Sequence, residues 1–170
     1  MPVNIEIKAR CPDPELIARI LRANSAEHKG RDHQVDTYFA AKTGRLKLRE
    51  GNIENNLIYY CRNNVSGPKK SEVVLYPAGK NPGLKNILRK VLGIKTIVDK
   101  QRDIYFIDNV KFHIDRVKDL GDFVEIEAIG EAGQEETLNK QCRFYMDLLM
   151  IHEDNLIGQS YSDLLMENNK

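Results

Sequence analysis

The 170-residue sequence has no tryptophan and only three cysteines, Cys11, Cys61 and Cys142. An odd, widely spaced set without a C-x-x-C pair supplies neither a zinc knuckle nor a redox dithiol. It reads as unpaired thiols in a reducing cytoplasm. Proline (6) and glycine (11) are too scarce for a collagen-like or low-complexity chain. No apolar run approaches the roughly 18 residues of a membrane span. The opening MPVNIEIKARC lacks the apolar core of a secretory signal, so a cytoplasmic location is expected. A phosphate-binding G-x-x-x-x-G-K-[ST] loop is missing, which excludes a Walker-type nucleotide site. Net charge is nearly absent as well. Lys and Arg (26) almost cancel Asp and Glu (25), leaving no bulk electrostatic footprint for nucleic acid or an anionic membrane.

What is present suits a folded protein. The apolar fraction of 41% and the net charge of +1 exclude disorder. The length predicts one domain over 1–170. A domain of this size buries about 68–70% of its unfolded surface and needs no metal or disulfide to hold it.

Two periodicities run through the chain. Val3, Ile5, Ile7 and Ala9 alternate with Asn4, Glu6, Lys8 and Arg10, the period-two signature of a strand. Further strands are expected over 33–41, 45–50, 57–62, 70–76, 94–107, 110–117 and 123–129, joined mainly by short turns that favour antiparallel pairing. Helical signals lie between them. Asp13-Pro14-Glu15 opens one helix with a capping residue and a proline at its first position. Asn81-Pro82 opens a second, which Gly93 ends. A third is expected over 134–150, and Ser160-x-x-Asp163 begins a last short one in capping-box fashion. The class is α+β.

The charges are sorted by strand face. Glu6, Lys8 and Arg10 share one side of the first strand, and Arg45, Lys47 and Arg49 share one side of another. Lys70 with Glu72, Lys100 with Arg102, His113 with Asp115 and Glu125 with Glu127 repeat the pattern. A water-facing side of an antiparallel sheet explains any one of these. The set has a further property: cations come from the middle strands and carboxylates from the two ends, on a sheet whose apolar side the helices must cover. Such a polar face can curl inward and close as a barrel. Arg and Lys suit polyphosphate, Arg by bidentate contact. Carboxylates two residues apart on one strand reach the same side and suit a hard divalent ion. Together they suit phosphoryl transfer, where positioning and charge neutralisation dominate.

Several segments in order resemble the CYTH, or triphosphate tunnel metalloenzyme, family, and more narrowly its class IV (CyaB-type) adenylate cyclases. The opening E-x-E-x-K strand is matched by Asn4-Ile5-Glu6-Ile7-Lys8. Then come Asp36-x-Tyr38-Phe39, Leu46-x-Leu48-Arg49, Arg62 and Lys70-Ser71-Glu72. The longest match runs from Lys100-Gln101-Arg102-Asp103 through Phe112-His113-Ile114-Asp115 to Phe123-Val124-Glu125-Ile126-Glu127, and Ser160-Tyr161-Ser162-Asp163 closes it.

The resemblance implies an eight-stranded antiparallel β-barrel, a tunnel with a charged interior and helices outside. It implies Mg²⁺ or Mn²⁺ and a small-molecule triphosphate as partners, and a homodimer. Glu6, Glu125 and Glu127 would bind metal, with Asp115 as a fourth ligand. Lys8, Arg49, Lys100 and Arg102 would act as catalytic cations. Arg10, Arg62 and Lys70 would hold substrate, joined by Arg45 and Lys47 on strand parity. Asp36, Glu72 and His113 divide between tunnel lining and ordinary surface. Asn4 departs from the family, which has a glutamate there, and removes one negative charge from the metal region. Three functions follow. One is cyclisation of ATP to cyclic AMP and pyrophosphate. Another is hydrolysis of inorganic triphosphate, thiamine triphosphate or a nucleotide. The third is a non-catalytic polyphosphate- or nucleotide-binding module.

Overall fold

The computed structural model describes residues 2–170. The opening alternation becomes β1 (Pro2–Arg10), with Ile5, Ile7 and Ala9 buried on one side and Asn4, Glu6 and Lys8 on the other. In α1 (Pro14–Ala23), Asp13 accepts a hydrogen bond from the Leu16 amide, satisfying one of the free donors of the first turn. Four strands follow: β2 (Glu27–Phe39), β3 (Arg45–Glu50), β4 (Asn55–Arg62) and β5 (Lys69–Pro77). After α2 (Pro82–Leu92) come β6 (Ile94–Ile107), β7 (Val110–Val117), β8 (Gly121–Glu131), α3 (Glu135–Leu148) and α4 (Tyr161–Asn168).

The strands close into one antiparallel ring in the order β1-β5-β4-β3-β2-β6-β7-β8, with β1 paired to both β5 and β8. This is the expected tunnel. A closed ring has no free edge, and it has an inside. Once the alternating apolar residues face the helices, every other residue must face the lumen.

Two apolar clusters hold the ring. Outside β1, β7 and β8, the helices α1 and α3 cover Ile5, Ile7, Phe112, Ile114 and Ile126 with Leu21, Leu138 and Leu149. The second cluster lies inside one end, where Tyr161 at the start of α4 packs with Tyr38, Tyr60, Val117 and Phe123 and plugs the ring. Helix α4 is fastened by its capping box, in which Ser160 and Asp163 bond each other's backbone, and by an Arg45–Asp163 ion pair of 2.9 Å. The far end, around Pro2, Leu75, Phe106 and Ile129, forms the cavity mouth.

One strand is longer than its alternation indicates. β2 begins at Glu27, six residues before the expected start at His33. A register shift between His28 and Gly30 breaks the period there, and Gly30 takes φ +127°, which L side chains rarely adopt. No helix among the described residues is long and apolar enough to cross a membrane.

The outer core sets the ring's stability. Ile126 is fully buried between sheet and helices. Ile126→Ala is expected to cost about 2–5 kcal/mol of unfolding free energy by lost transfer and residual cavity, measured by denaturant titration.

Candidate functional site

The lumen holds a cavity of about 510 Å³, lined by seven cationic and four carboxylate side chains. Strand register arranges them in depth. Near the mouth are Asn4, Ile129 and Phe106. One step deeper, Glu6 pairs across the strands with Glu127, which pairs in turn with Lys111. Next come Lys8, opposite Glu125, and His113 on the other side of Glu125. Arg102 and Lys100 lie deepest on β6, above the aromatic plug.

Two carboxylates behind the lining set the cations in place. Asp36 has no exposure and accepts from Arg49 through two bonds of 2.9 Å, from Lys47 at 2.9 Å and from Lys100 at 2.8 Å. Burial by itself would raise its carboxyl, but Arg49, Lys100 and Lys47 hold it well below the usual carboxylate range. Asp115 grips Arg102 through two bonds of 2.6 Å and also accepts from the Tyr161 hydroxyl at 2.7 Å. Each cation is thereby held in one rotamer with donors left over. Lys8 sits 3.9 Å from the Tyr161 ring centroid and 3.2 Å from Glu125.

The cations crowd one another in a desolvated space. Burial lowers Lys100 to about 7, with Arg49, Arg102 and Lys47 pushing the same way against the pull of Asp36. Burial likewise lowers Lys8. Lys69 falls to about 8 by burial and the nearby Arg62. His113 falls to about 3 by burial and by Arg102, so it is neutral; its Nδ1 lies 3.1 Å from Glu125, and its Nε2 has no partner among the described residues.

The carboxylates divide into two kinds. Glu125 is engaged by Lys8, Arg102 and His113; against the effect of burial, Lys8 and Arg102 hold it well below the usual range. Glu127 is raised instead, by burial and by Glu6 and Glu125 beside it, and among the described residues its one direct side-chain donor is Asn4 Nδ2 at 2.5 Å. Glu6 meets Arg62 at 3.2 Å. Among the described residues no three His, Cys, Asp or Glu side chains converge as a ready-made metal cluster. The Glu6–Glu127 pair is nevertheless a set of hard oxygen donors, and burial with Glu6 and Glu125 beside it disfavours the charge on Glu127 despite Lys111. That chemistry fits a divalent cation.

The sequence-derived candidates fall into three groups. Glu6, Lys8, Lys47, Arg49, Arg62, Lys100, Arg102, Glu125 and Glu127 share the cavity, as does His113. Asp36 and Asp115 lie behind it. Asp115, expected as a metal ligand, is on an inward-facing position, but at the end of β7 that Tyr161 fills, so its oxygens serve Arg102 and Tyr161. Arg10, Arg45, Lys70 and Glu72 are outside. Arg10 lies exposed at the end of β1 beside the Leu120 carbonyl, and Arg45 holds α4 through Asp163. Lys70 reaches Glu135 on the outer surface, because Lys69 and Ser71 are the inward residues of β5: Lys69 lies opposite Glu6 in the register.

Sequence reasoning missed Lys111, Glu54, Lys69 and Tyr161. Lys111 has the parity of His113 and could have been found by it. Glu54 belongs to the β3–β4 turn, where no period applies. It pairs with Lys111 and with Arg49 at 2.9 Å. Its turn is folded onto Asp32, which accepts from the amides of Asn52, Ile53 and Glu54 at 2.6, 2.9 and 3.0 Å. Gly51 allows this approach, since a Cβ there would lie 2.7 Å from Asp32 Oδ2 and from the Glu54 carbonyl.

A model of the CYTH domain matches residues 3–161. The chain belongs to the CYTH family. A protein of Methanocaldococcus jannaschii, provisionally named an adenylate cyclase, is 24% identical over 181 residues, which is 95% of this chain and 98% of that one. Among solved structures, a conserved protein of Pyrococcus furiosus superposes with a TM-score of 0.82 at 22% identity, covering 95% of this chain and 99% of its own. An adenylyl cyclase candidate from Hippeastrum, described as having a dominant triphosphatase activity, superposes with a TM-score of 0.59 at 14% identity, covering 100% and 97%. These likenesses confirm the tunnel fold of this CYTH protein.

Asp36 is the buried counter-charge of the cationic wall. Asp36→Asn is expected to destabilise the protein by about 3–5 kcal/mol, the usual cost of leaving a buried partner unpaired. Because the native carboxyl is depressed, its stabilisation is complete above the unfolded range near pH 4 and is lost as pH falls through the lower native value. Chemical denaturation from pH 7 downward should show a weaker acid dependence in Asp36→Asn than in the parent protein.

Proposed function

We propose that this CYTH protein is a class IV-type adenylate cyclase, converting ATP to cyclic AMP and pyrophosphate inside the tunnel. The observation that carries this reading is one cavity with a cationic depth, a carboxylate pair above it and an apolar mouth. A triphosphate enters such a cavity phosphate end first. Its β- and γ-phosphates meet Lys8, Lys47, Arg49, Arg62, Lys100 and Arg102, and its nucleoside stays near Phe106, Ile129 and Leu75. The α-phosphate then lies at the level of Glu6 and Glu127.

In the reaction the ribose 3′-oxygen attacks the α-phosphorus. The bond to the α–β bridging oxygen breaks, pyrophosphate leaves with that electron pair, and the 3′-hydroxyl proton passes to solvent water at the open mouth. The deep cations are placed to neutralise the charge that grows on the pyrophosphate, and Asp36 and Asp115 hold them there before substrate arrives. Tyr161 and its neighbours close the deep end against water. Glu6 and Glu127, with Glu125 adjacent, would hold Mg²⁺ or Mn²⁺, and the ion when bound supplies Lewis-acid polarisation and charge neutralisation. Hydrolysis of the same substrate is the second reading, favoured by the triphosphatase activity described for the Hippeastrum protein of the same fold.

The deciding measurement supplies ATP or inorganic triphosphate with Mg²⁺ or Mn²⁺ and identifies products. Cyclic AMP with pyrophosphate is expected, and free phosphate without cyclic AMP would overturn the cyclase reading. Glu127→Gln should lower turnover at least about tenfold with folding intact, the scale of losing one charge-stabilising contact. Absence of any turnover in the parent protein would leave only a binding module.

Substrate binding should also take up protons. A polyanion beside Lys100 favours its charged form, so a group at about 7 in the free protein becomes protonated on binding. Triphosphate affinity should therefore fall as pH rises above 7. Calorimetry in buffers of different ionisation enthalpy should register proton uptake that shrinks in Lys100→Arg.

A further inference from the structure

The near-zero net charge hides a second segregation, on the outside. Between Glu72 and Asp99 the chain has no acidic residue and five cations, Lys80, Lys85, Arg89, Lys90 and Lys95. Lys85 alone among them forms an ion pair in the described residues, at 2.7 Å from Glu50. The same segment carries seven of the twelve exposed large hydrophobic side chains among the described residues. Helix α2 lies at its centre. Leu84, Leu88 and Leu92 are half-buried, no α2 residue is fully buried, and Ile87 and Val91 stand 61% and 73% exposed. Ile94 and Ile97 extend the apolar surface onto β6 at 41% and 49% exposure. Helices α1 and α3 bury their apolar stripes against the ring, whereas α2 turns half of its stripe to solvent.

Charge decides what can cover this face. A second copy docked α2 to α2 would oppose unpaired cations, a costly arrangement at an interface. A partner must present negative charge and an apolar layer together. We propose that the α2 face is a peripheral docking surface for an anionic lipid bilayer. Lys90, which borders Ile87 on the helix, and Lys80 and Lys95 beyond its two ends would meet headgroup phosphates while Ile87, Val91 and Ile94 enter the headgroup–acyl boundary. A basic amphipathic helix lying in the interface plane binds this way. The even charge total, which argues against a membrane partner, averages over this segment.

The test is sedimentation of the full chain with vesicles of phosphatidylcholine alone or mixed with phosphatidylglycerol. Partitioning onto the anionic vesicles should exceed that onto neutral ones by at least about tenfold and weaken with salt. Lys80→Glu with Lys90→Glu should abolish the preference, and Ile87→Asp with Val91→Asp should abolish binding. Each pair should leave unfolding by circular dichroism unchanged, since these side chains are exposed. Equal partitioning onto neutral vesicles, or no binding to either, overturns the proposal. So does a dimer in sedimentation velocity that Ile87→Asp with Val91→Asp reduces to monomer, which would assign the face to self-association.

Discussion

A buried carboxylate under a wall of cations is the constraint on which the rest of the molecule depends. Closing eight strands into a ring forces their polar faces into a desolvated lumen. Lys47, Arg49 and Lys100 cannot all be charged there without a counter-charge, and Asp36 supplies it to all three. Asp115 does the same for Arg102. Neither carboxylate lines the cavity, so neither competes for the space a ligand would fill. The cations remain oriented by an anion behind them while an excess of positive charge faces inward. Burial lowers both Lys100 and Lys8, and for Lys100 the cations Arg49, Arg102 and Lys47 add to it against Asp36. Under the proposed function a polyanion would favour their charged forms.

The plug works with the same residues. Tyr161 touches Asp115 by its hydroxyl and Lys8 by its ring, while Arg45 ties α4 to the ring through Asp163. A stretch after α3 therefore completes the deep end of a cavity built by strands far earlier in the chain. Closing that end shuts out water and strengthens every charge interaction next to it.

Alternation made much of this legible in the sequence. It identified the strands, the inward set Glu6–Lys8, Lys47–Arg49, Lys100–Arg102 and Glu125–Glu127, and hence a segregated interior. It failed where a period cannot speak. Two adjacent lysines gave no clue that Lys69 rather than Lys70 faces inward, because only pairing with β1 sets the register. Parity placed Arg10, Arg45 and Asp115 correctly by face but said nothing of depth. One ends in solvent and the other two serve the plug. Glu54 reaches the lumen from a turn that exists because Asp32 gathers three amides, a contact between residues twenty or more positions apart.

Asn4 shows how a single substitution interacts with this layout. It stands at the mouth side of the Glu6–Glu127 pair and donates to Glu127. A glutamate in its place would add a third carboxylate beside Glu127, whose protonation Glu6 and Glu125 already favour, in a region whose cations are already engaged, Arg62 by Glu6 and Lys111 by Glu54. The amide removes that repulsion and turns a like-charge neighbour into a hydrogen-bond donor. Glu127 is thereby held in the lumen by a neutral donor. The same contact occupies one of its oxygens, so any ion bound there must displace or share the amide. The upper site is thus less charged and better ordered than a three-carboxylate version, while the cationic depth below it is unaffected. Under the proposed function, polyphosphate and ion would rest on different layers of one ring, so a substitution in one layer should act mainly on one of the two affinities.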